Sequence, residues 1–308
     1  LCQDIAAEIA FKWGGVSDEF GLSFEGVDGK NTLDGNIGTG NQEMLSVVMR
    51  SMPHQTLYLA GVYKDTYSEN NWKCLYNQQS SDLEEYRLST YEMILSMYEG
   101  ELEAGGENLY AENAATVKYG KIRTRTLFLP INTEAINELD KEHMPTFTTA
   151  TVRYPKRQKE GQYYKTEFLE INRENSYIKE RLHQLENTTY DEELELDKEK
   201  IYDKLGETVN EHVLKEMLEE KNLFSKLKKR QEKIQEVYTV LPKDLPERVR
   251  NLTEELTQSC ESRYDKLKAI EQYLKQYHYT KTPGKVPAGH DFVDYFLFDG
   301  KEGYCTYF

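Results

Sequence analysis

No stretch of this 308-residue chain approaches the ~18 consecutive apolar residues that cross a bilayer, so no membrane-spanning helix is expected within it. Cysteine is scarce. The four present, Cys2, Cys74, Cys260 and Cys305, lie far apart with no C-x-x-C pair, a spacing that argues against a zinc ribbon or a dithiol redox centre. Positive charge is short as well: at a formal net charge of −15 the surface repels phosphate, which argues against a nucleic-acid backbone as the main partner. The glycines of "GNIGTGN" lack the strand–glycine–helix context of a phosphate loop, and the acids of "DEELELD" fit no calcium loop. Neither a metal nor a cofactor is expected.

What the chain does have is apolar and aromatic surface. At 38% hydrophobic and 12% aromatic residues it can bury cores, and its length suits two or three domains. It opens on Leu1 rather than Met and stops one residue after Tyr307, which reads as a fragment of something longer. The first half is β-rich with one helix. "QTLYLAGVYKDTYSENNWKCLY" (Gln55 to Tyr76) has aromatic and β-branched runs around a Ser-Glu-Asn-Asn turn, the pattern of a hairpin. Trp72, just after that turn, is expected as a core anchor. "DLEEYRLSTYEMILSMYEG" then places Leu83, Tyr86, Tyr91, Ile94, Leu95 and Tyr98 at helical spacing, with Gly100 and Gly105-Gly106 as the stop. "ATVKYGKIRTRTLFLP", "TFTTATVRYP" and "GQYYKTEFLEI" alternate as strands, two of them ended by Pro130 and Pro155. A partly open sheet or sandwich with a helix packed on it is predicted for residues 1–172.

From Arg173 the period lengthens. Ile201, Leu205, Val209, Val213 and Met217 recur every four residues, one stripe on a charged helix that needs a partner. The basic run "KLKKRQEK" (Lys226 to Lys233) reads as a solvated helix face. "VYTVLPKDLPERV" is a break, and it sets the boundary between a charged helical insertion, residues 173–237, and a last unit, residues 238–308. That unit shows two short helical stripes, Val249, Leu252, Leu256 and then Tyr264, Leu267, Ile270, Leu274, Tyr277. A Pro/Gly loop follows and leads to "DYFLFDGKEGYCTYF". The fold class is α+β.

Cys305 raises the question of chemistry. A thiol attacks as its thiolate, and free cysteine is mostly protonated at neutral pH, so a nucleophile needs help. A helix N-terminus at Cys305 would favour the anion, and Gly303 would let a substrate backbone come close. The Cys305 N–H would supply an oxyanion donor. A base and a group to orient it are still required. His290 and His278 are the nearest histidines, both in positions typical of solvated residues, and Asp291, Asp294 and Asp299 fit loop and cap roles. On residues alone, Cys305 is either a nucleophile or a thiol buried among aromatics.

The segment "YDKLKAIEQYLKQYHYT…DFVDYFLFDGKEGYCTYF" resembles the entry half of the bacterial transglutaminase-like domain. It is similar in particular to the large membrane-anchored members with an extracytoplasmic catalytic domain. The likeness rests on Tyr264, Asp265 and Lys266, on Tyr273-Leu274 and Tyr279, on Asp291-Phe292, on Tyr295 to Phe298, and on Gly303-Tyr304-Cys305. It is dense over 238–308. Upstream, "YLAGVYKDTYSENNW" and "TRTLFLP" resemble the β-domain that precedes the core in the same proteins, whereas residues 173–236 match nothing in the family.

The resemblance implies that Cys305 is the nucleophile, attacking a Gln carboxamide or peptide carbonyl and passing the acyl group from a thioester to an amine or water. No cofactor enters that chemistry. It also implies that the His and Asp partners lie downstream of the cysteine, so the 308-residue chain by itself is expected to be inactive. Cross-linking, deamidation and proteolysis share this mechanism, and superfamily membership does not choose among them. The alternatives are a non-catalytic cell-envelope binding or scaffold ectodomain, with a degenerate enzyme domain, and a cysteine protease or amidase. The expected partner is a protein or peptide substrate, such as one of the cell envelope, with the membrane reached only through segments outside this chain. The resemblance places the chain at the extracytoplasmic face, where a Cys2–Cys74 disulfide is permitted but not required. In a bacterial setting the acceptor-like triplets "NTT" and "NLT" carry no weight.

Overall fold

The computed structural model describes residues 43–52, 56–68, 70–80, 82–98, 109–139, 143–184, 201, 203, 209, 211–304, 307 and 308. The architecture is α+β. Its centre is an antiparallel sheet of four strands in the order β1-β5-β10-β7, where β1 is Leu45–Met49, β5 Tyr110–Tyr119, β7 Thr133–Asn137 and β10 Tyr163–Ile171. Small two-residue and three-residue strands fill the gaps: β2 (Leu59–Ala60) pairs with β6 (Leu129–Pro130), β3 (Thr66–Ser68) with β4 (Asn71–Lys73), and β8 (Thr146–Phe147) with β9 (Val152–Arg153). The stretch read as one strand, "TFTTATVRYP", is thus a tight hairpin. Its reversal is made by Thr148, whose N–H donates to the Thr151 carbonyl at 3.0 Å and whose hydroxyl oxygen accepts from the Thr151 N–H at 3.0 Å.

The register of the long pair explains how two cores grow from one sheet. Val117 opposes Tyr164 and Ala115 opposes Thr166, so these share one face, which Tyr119, Leu127, Leu129, Val152 and Tyr154 help to bury. Tyr164 and Tyr119 are fixed by their hydroxyls. Tyr164 donates to the Phe128 carbonyl at 2.7 Å and accepts from the Phe128 N–H at 2.8 Å, and Tyr119 donates to the Thr126 carbonyl at 2.9 Å. On the opposite face, Glu112, Thr116, Lys165 and Glu167 are polar, but Tyr110 opposite Ile171 and neighbouring Leu169 are apolar. Helices cover that end alone.

The covering helices are α1 (Glu84–Tyr98), α2 (Ser176–Gln184), α3 (Glu211–Glu219) and α4 (Leu223–Tyr238). Leu83 and Tyr86, at the start of α1, belong to the first core, and Leu88, Tyr91, Ile94, Leu95 and Met97 to the second. The spacing of Leu83, Tyr86, Tyr91, Ile94 and Leu95 predicted the helix; Gly100, Gly105 and Gly106 lie outside the described residues. Ile201, Val209, Val213 and Met217 are buried in the same core as α1, as a stripe in need of a partner should be; Ile201 is helical, Val213 and Met217 lie on α3, and Leu205 lies outside the described residues. From α2, the Tyr177 hydroxyl donates to the Met97 carbonyl at 2.5 Å and Arg181 Nε to the Ser96 carbonyl at 2.7 Å. These satisfy acceptors that the last turn of α1 leaves without helical partners. One core therefore draws on residues from both sides of position 172.

The basic run on α4 departs from the expected solvated face. Lys226 Nζ lies 2.8 Å from Glu84 and 2.9 Å from Glu220, and Arg230 pairs with Glu92 and sits 3.4 Å from Glu85. The physical reason is that α1 presents acids along the edge α4 lies against, so the run binds its own fold. Burial pushes the Glu92 carboxyl up, against the downward pull of Arg230.

Beyond Pro246, which caps it, α5 (Glu247–Thr257) runs into α6 (Arg263–Leu274). The start of α6 is a reciprocal capping box: the Ser262 hydroxyl accepts from the Asp265 N–H at 3.1 Å, and Asp265 Oδ2 accepts from the Ser262 N–H at 3.3 Å. The apolar stripes predicted here are only partly covered. Val249 is buried, but no residue of α6 is, and Leu267 is 66% exposed. Among the described residues no helix is long and apolar enough to cross a membrane.

Candidate active site

The segment leading to Cys305 is built in four short steps. Asp291 caps a one-turn helix, α7 (Phe292–Tyr295), its carboxylate accepting from the Asp294 N–H at 3.0 Å. The helix widens into a π-turn over Phe296–Gly300, and Lys301, in the left-handed region at φ 52°, ends it by donating its N–H to the Phe296 carbonyl at 3.0 Å. Then β12 (Glu302–Gly303) pairs in parallel with β11 (His278–Tyr279); the Thr280 N–H donates to the Gly303 carbonyl at 2.8 Å and the His278 N–H to the Lys301 carbonyl at 3.1 Å. Finally the Tyr307 N–H donates to the Tyr304 carbonyl at 2.8 Å. Cys305 itself, the residue named as nucleophile, lies outside the described residues, as does Cys2; Cys74 Sγ is 3.9 Å from the Tyr76 carbonyl.

Aromatic rings flank the cysteine in the chain and meet in space. Tyr307 packs on Tyr304 at 4.9 Å between centroids, on Phe292 at 4.7 Å and on Phe296 at 5.6 Å, and Phe308 packs on Phe296 at 5.2 Å. Offset and edge-on pairs of this kind add to simple burial. The structure corrects one expectation here. A Cβ at Gly303 would stand 2.3 Å from Tyr307 Cγ, so the glycine makes room for the tyrosine ring rather than for a substrate backbone.

Arg248 of α5 anchors the same segment from outside. Its Nε donates to Asp294 Oδ1 at 2.6 Å, its Nη2 donates to Asp294 Oδ2 and, at 2.8 Å, to Asp299, and its guanidinium lies 4.4 Å from the centre of the Phe298 ring. Asp294 is buried, so the expected loop or cap role gives way to an ion pair between α5 and α7, while Asp291 is the cap the sequence suggested. Sequence reasoning missed Arg248, because nothing local links it to acids 46 and 51 residues away.

The two histidines weighed as bases are on the surface. His278 Nδ1 is 3.6 Å from Glu302, and the His290 ring meets Tyr295 edge-on at 6.0 Å. Trp72 also departs from expectation. It is 41% exposed: it shares a face of the hairpin with Tyr67, its cross-strand partner, and tilts over that ring at 5.5 Å at the edge of so short a hairpin. Tyr67 is the buried ring, and its hydroxyl donates to Asp291 Oδ2 at 2.9 Å. Among the described residues no cluster of three or more His, Cys, Asp or Glu side chains could hold a metal ion.

Comparison with known proteins fits this segment. Residues 250–308 match the family model described as the transglutaminase-like superfamily. An uncharacterized protein of Bacillus subtilis, YebA, is 45% identical over 74 residues, 23% of this chain and 10% of that protein's length. Two crystal structures of the periplasmic domain of TgpA from Pseudomonas aeruginosa, one bound to ethylmercury, overlay at 13% identity. The TM-scores are 0.47 without ethylmercury and 0.43 with it, covering 87% and 86% of this chain and 67% of each TgpA chain. Residues 250–308 of the chain thus match the transglutaminase-like superfamily, and the chain spans only a tenth of the length of the curated relative that it resembles.

Proposed function

We propose that Cys305 is the nucleophile of an acyl-transfer reaction carried out by the full-length protein. The observation that carries the reading is the family match over 250–308, which includes the Gly303-Tyr304-Cys305 step. The local build supports it. A cap, a π-turn, a parallel strand pair and a knot of rings fix the residues on both sides of the cysteine, which is what a reacting group needs if it is to meet its substrate in one geometry.

In the proposed reaction the Cys305 thiolate attacks the carbonyl carbon of a Gln carboxamide or peptide bond. The C–N bond breaks, the nitrogen leaves as ammonia or an amine after taking a proton, and a thioester remains. An amine or water then attacks that carbon, the C–S bond breaks, and the thiol is restored. Proton transfer in both halves falls to a general acid–base that family resemblance places after the cysteine. By the same resemblance we place the reaction outside the cytoplasm, on a protein or peptide of the cell envelope.

The test is incorporation of a fluorescent primary amine into a glutamine-containing acceptor protein by the full-length protein, with release of ammonia and of peptide fragments followed in parallel. The expected result is transfer or hydrolysis that the Cys305→Ala variant lacks. Activity that survives Cys305→Ala, or none of the three products at all, would overturn the reading.

A further inference from the structure

We infer that the β3–β4 hairpin is a clamp that positions the cysteine-bearing segment, with Asn70 and Tyr67 as its positioning residues; this rests on the acyl-transfer reading above. The hairpin reverses between Ser68 and Asn71, which pair with each other as Tyr67 pairs with Trp72. Asn70 sits at φ 59°, a left-handed conformation that asparagine accepts more readily than most residues. A tight turn alone would need no more than that. What the turn does here is aim the Asn70 amide at a backbone 220 residues away.

That amide straddles Asp291. Its Nδ2 donates to the His290 carbonyl at 3.0 Å, and its Oδ1 accepts from the Phe292 N–H at 2.8 Å. Because one backbone partner can only accept and the other can only donate, the two bonds fix which end of the amide is which. The side chain thereby imitates a strand neighbour for the peptide at 290–292. The Phe292 N–H is moreover one of the donors that the first turn of α7 cannot satisfy within itself.

Tyr67 adds the third contact. Its hydroxyl has one proton, and Asp291 Oδ2 at 2.9 Å is a better acceptor than Asn70 Oδ1 at 3.3 Å. Burial first, and Asp291 second, push this phenol up, so it remains a donor throughout the physiological range. Asp291 in turn caps α7 through the Asp294 N–H, and the same α7 carries Phe292, which packs on Tyr307 at 4.7 Å. A continuous line of contacts therefore runs from the hairpin tip, through the cap and Phe292, to the residue two places after Cys305. Each link is directional or closely packed, so loosening the tip loosens the frame on which the thiol is presented.

Two substitutions separate this role from simple folding. Asn70→Gly keeps the left-handed turn and removes the amide, and Tyr67→Phe keeps the ring against Trp72 and removes the hydroxyl. In the full-length protein, amide hydrogen exchange of the 290–298 peptide and the pH profile of Cys305 alkylation by iodoacetamide are measured for the wild type and both variants, with the urea midpoint as a control. Asn70→Gly should speed exchange at 290–298 by about tenfold, as loss of two ordinary hydrogen bonds implies, and leave exchange in α1 unchanged. It should also change the rate or midpoint of Cys305 alkylation at an unaltered urea midpoint, with Tyr67→Phe showing the same pattern more weakly. Unchanged exchange at 290–298 would overturn the clamp. Faster exchange with an unchanged alkylation profile would overturn its positioning role. An ordinary thiol profile in the wild type, still altered by Asn70→Gly, would leave the clamp standing and remove the acyl-transfer reading instead.

Discussion

The body of the molecule and its last sixty or so residues use the same kind of sequence to different ends. In the body, α1 carries apolar residues at helical spacing and every turn of that face is covered: Ile94 is fully buried, and the sheet, α2, α3 and α4 close around it. In the C-terminal region α5 and α6 have comparable stripes, yet α6 buries no residue and burial is concentrated at Val249, Phe292, Asp294, Phe296 and Tyr304. The body is held by closed apolar cores. The C-terminal region is held at one point, the segment from Asp291 to Tyr304, by polar clamps and ring contacts, even though the surrounding helices are open.

The comparison is sharpened most by truncating one stripe residue from each region. Ile94→Ala should cost about 2–5 kcal/mol in urea unfolding, since it removes a fully buried side chain that neighbours cannot replace, whereas Leu267→Ala should stay within about 0.5 kcal/mol. Equal effects would mean that α6 is covered in solution and that the contrast fails. Next in size is Arg248→Ala. It leaves the buried Asp294 without its charged partner, so local stability should fall. Hydrogen exchange should place that loss at α7 and not in α1. Lys226→Ala, which removes two pairs at the α1–α4 seam, should cost less than about 1 kcal/mol, and that effect should shrink further in high salt.

A smaller effect, legible in its pH dependence, belongs to Glu134 on β7. Burial first, and then Glu112, Glu216 and Glu167, push its carboxyl up to about 7, and its Oε1 has no hydrogen-bond partner among the described residues. With the folded value above the unfolded one of ~4.3, the folded state holds the proton more tightly. The group therefore favours folding at acid pH, and stability falls as pH rises from roughly 4.3 to about 7. Glu134→Gln should raise the melting temperature at pH 8 and leave it nearly unchanged at pH 4; a gain of equal size at both would show that ionisation of Glu134 is not the cause.

Much of this was legible in the chain before the fold was in view. Regular spacing gave α1 and the hairpin at Asn70 because each satisfies its own backbone locally, and β10 because its residues alternate between two faces, although its backbone partners β5 and β7 are distant in sequence. The cap at Asp291 was visible for the same reason. The contacts that join distant segments were not. Arg248 with Asp294, Asn70 with the peptide around Asp291, and Arg230 with Glu92 link residues far apart in sequence, and nothing in local composition pairs them. Charge runs misled for a related reason: "KLKKRQEK" looks solvated until the acidic edge of α1 is placed beside it. Trp72 misled because a large aromatic residue suggests a core, whereas its strand is too short and too peripheral to offer one.

The measurement that bears most directly on the central claim is the pH dependence of Cys305 alkylation in the full-length protein, read by peptide mass spectrometry with Cys74 and Cys260 as internal references. A nucleophile held for acyl transfer should react with a midpoint well below the ordinary thiol value of ~8.5. A Cys305 midpoint at or above that of its references would contradict the account.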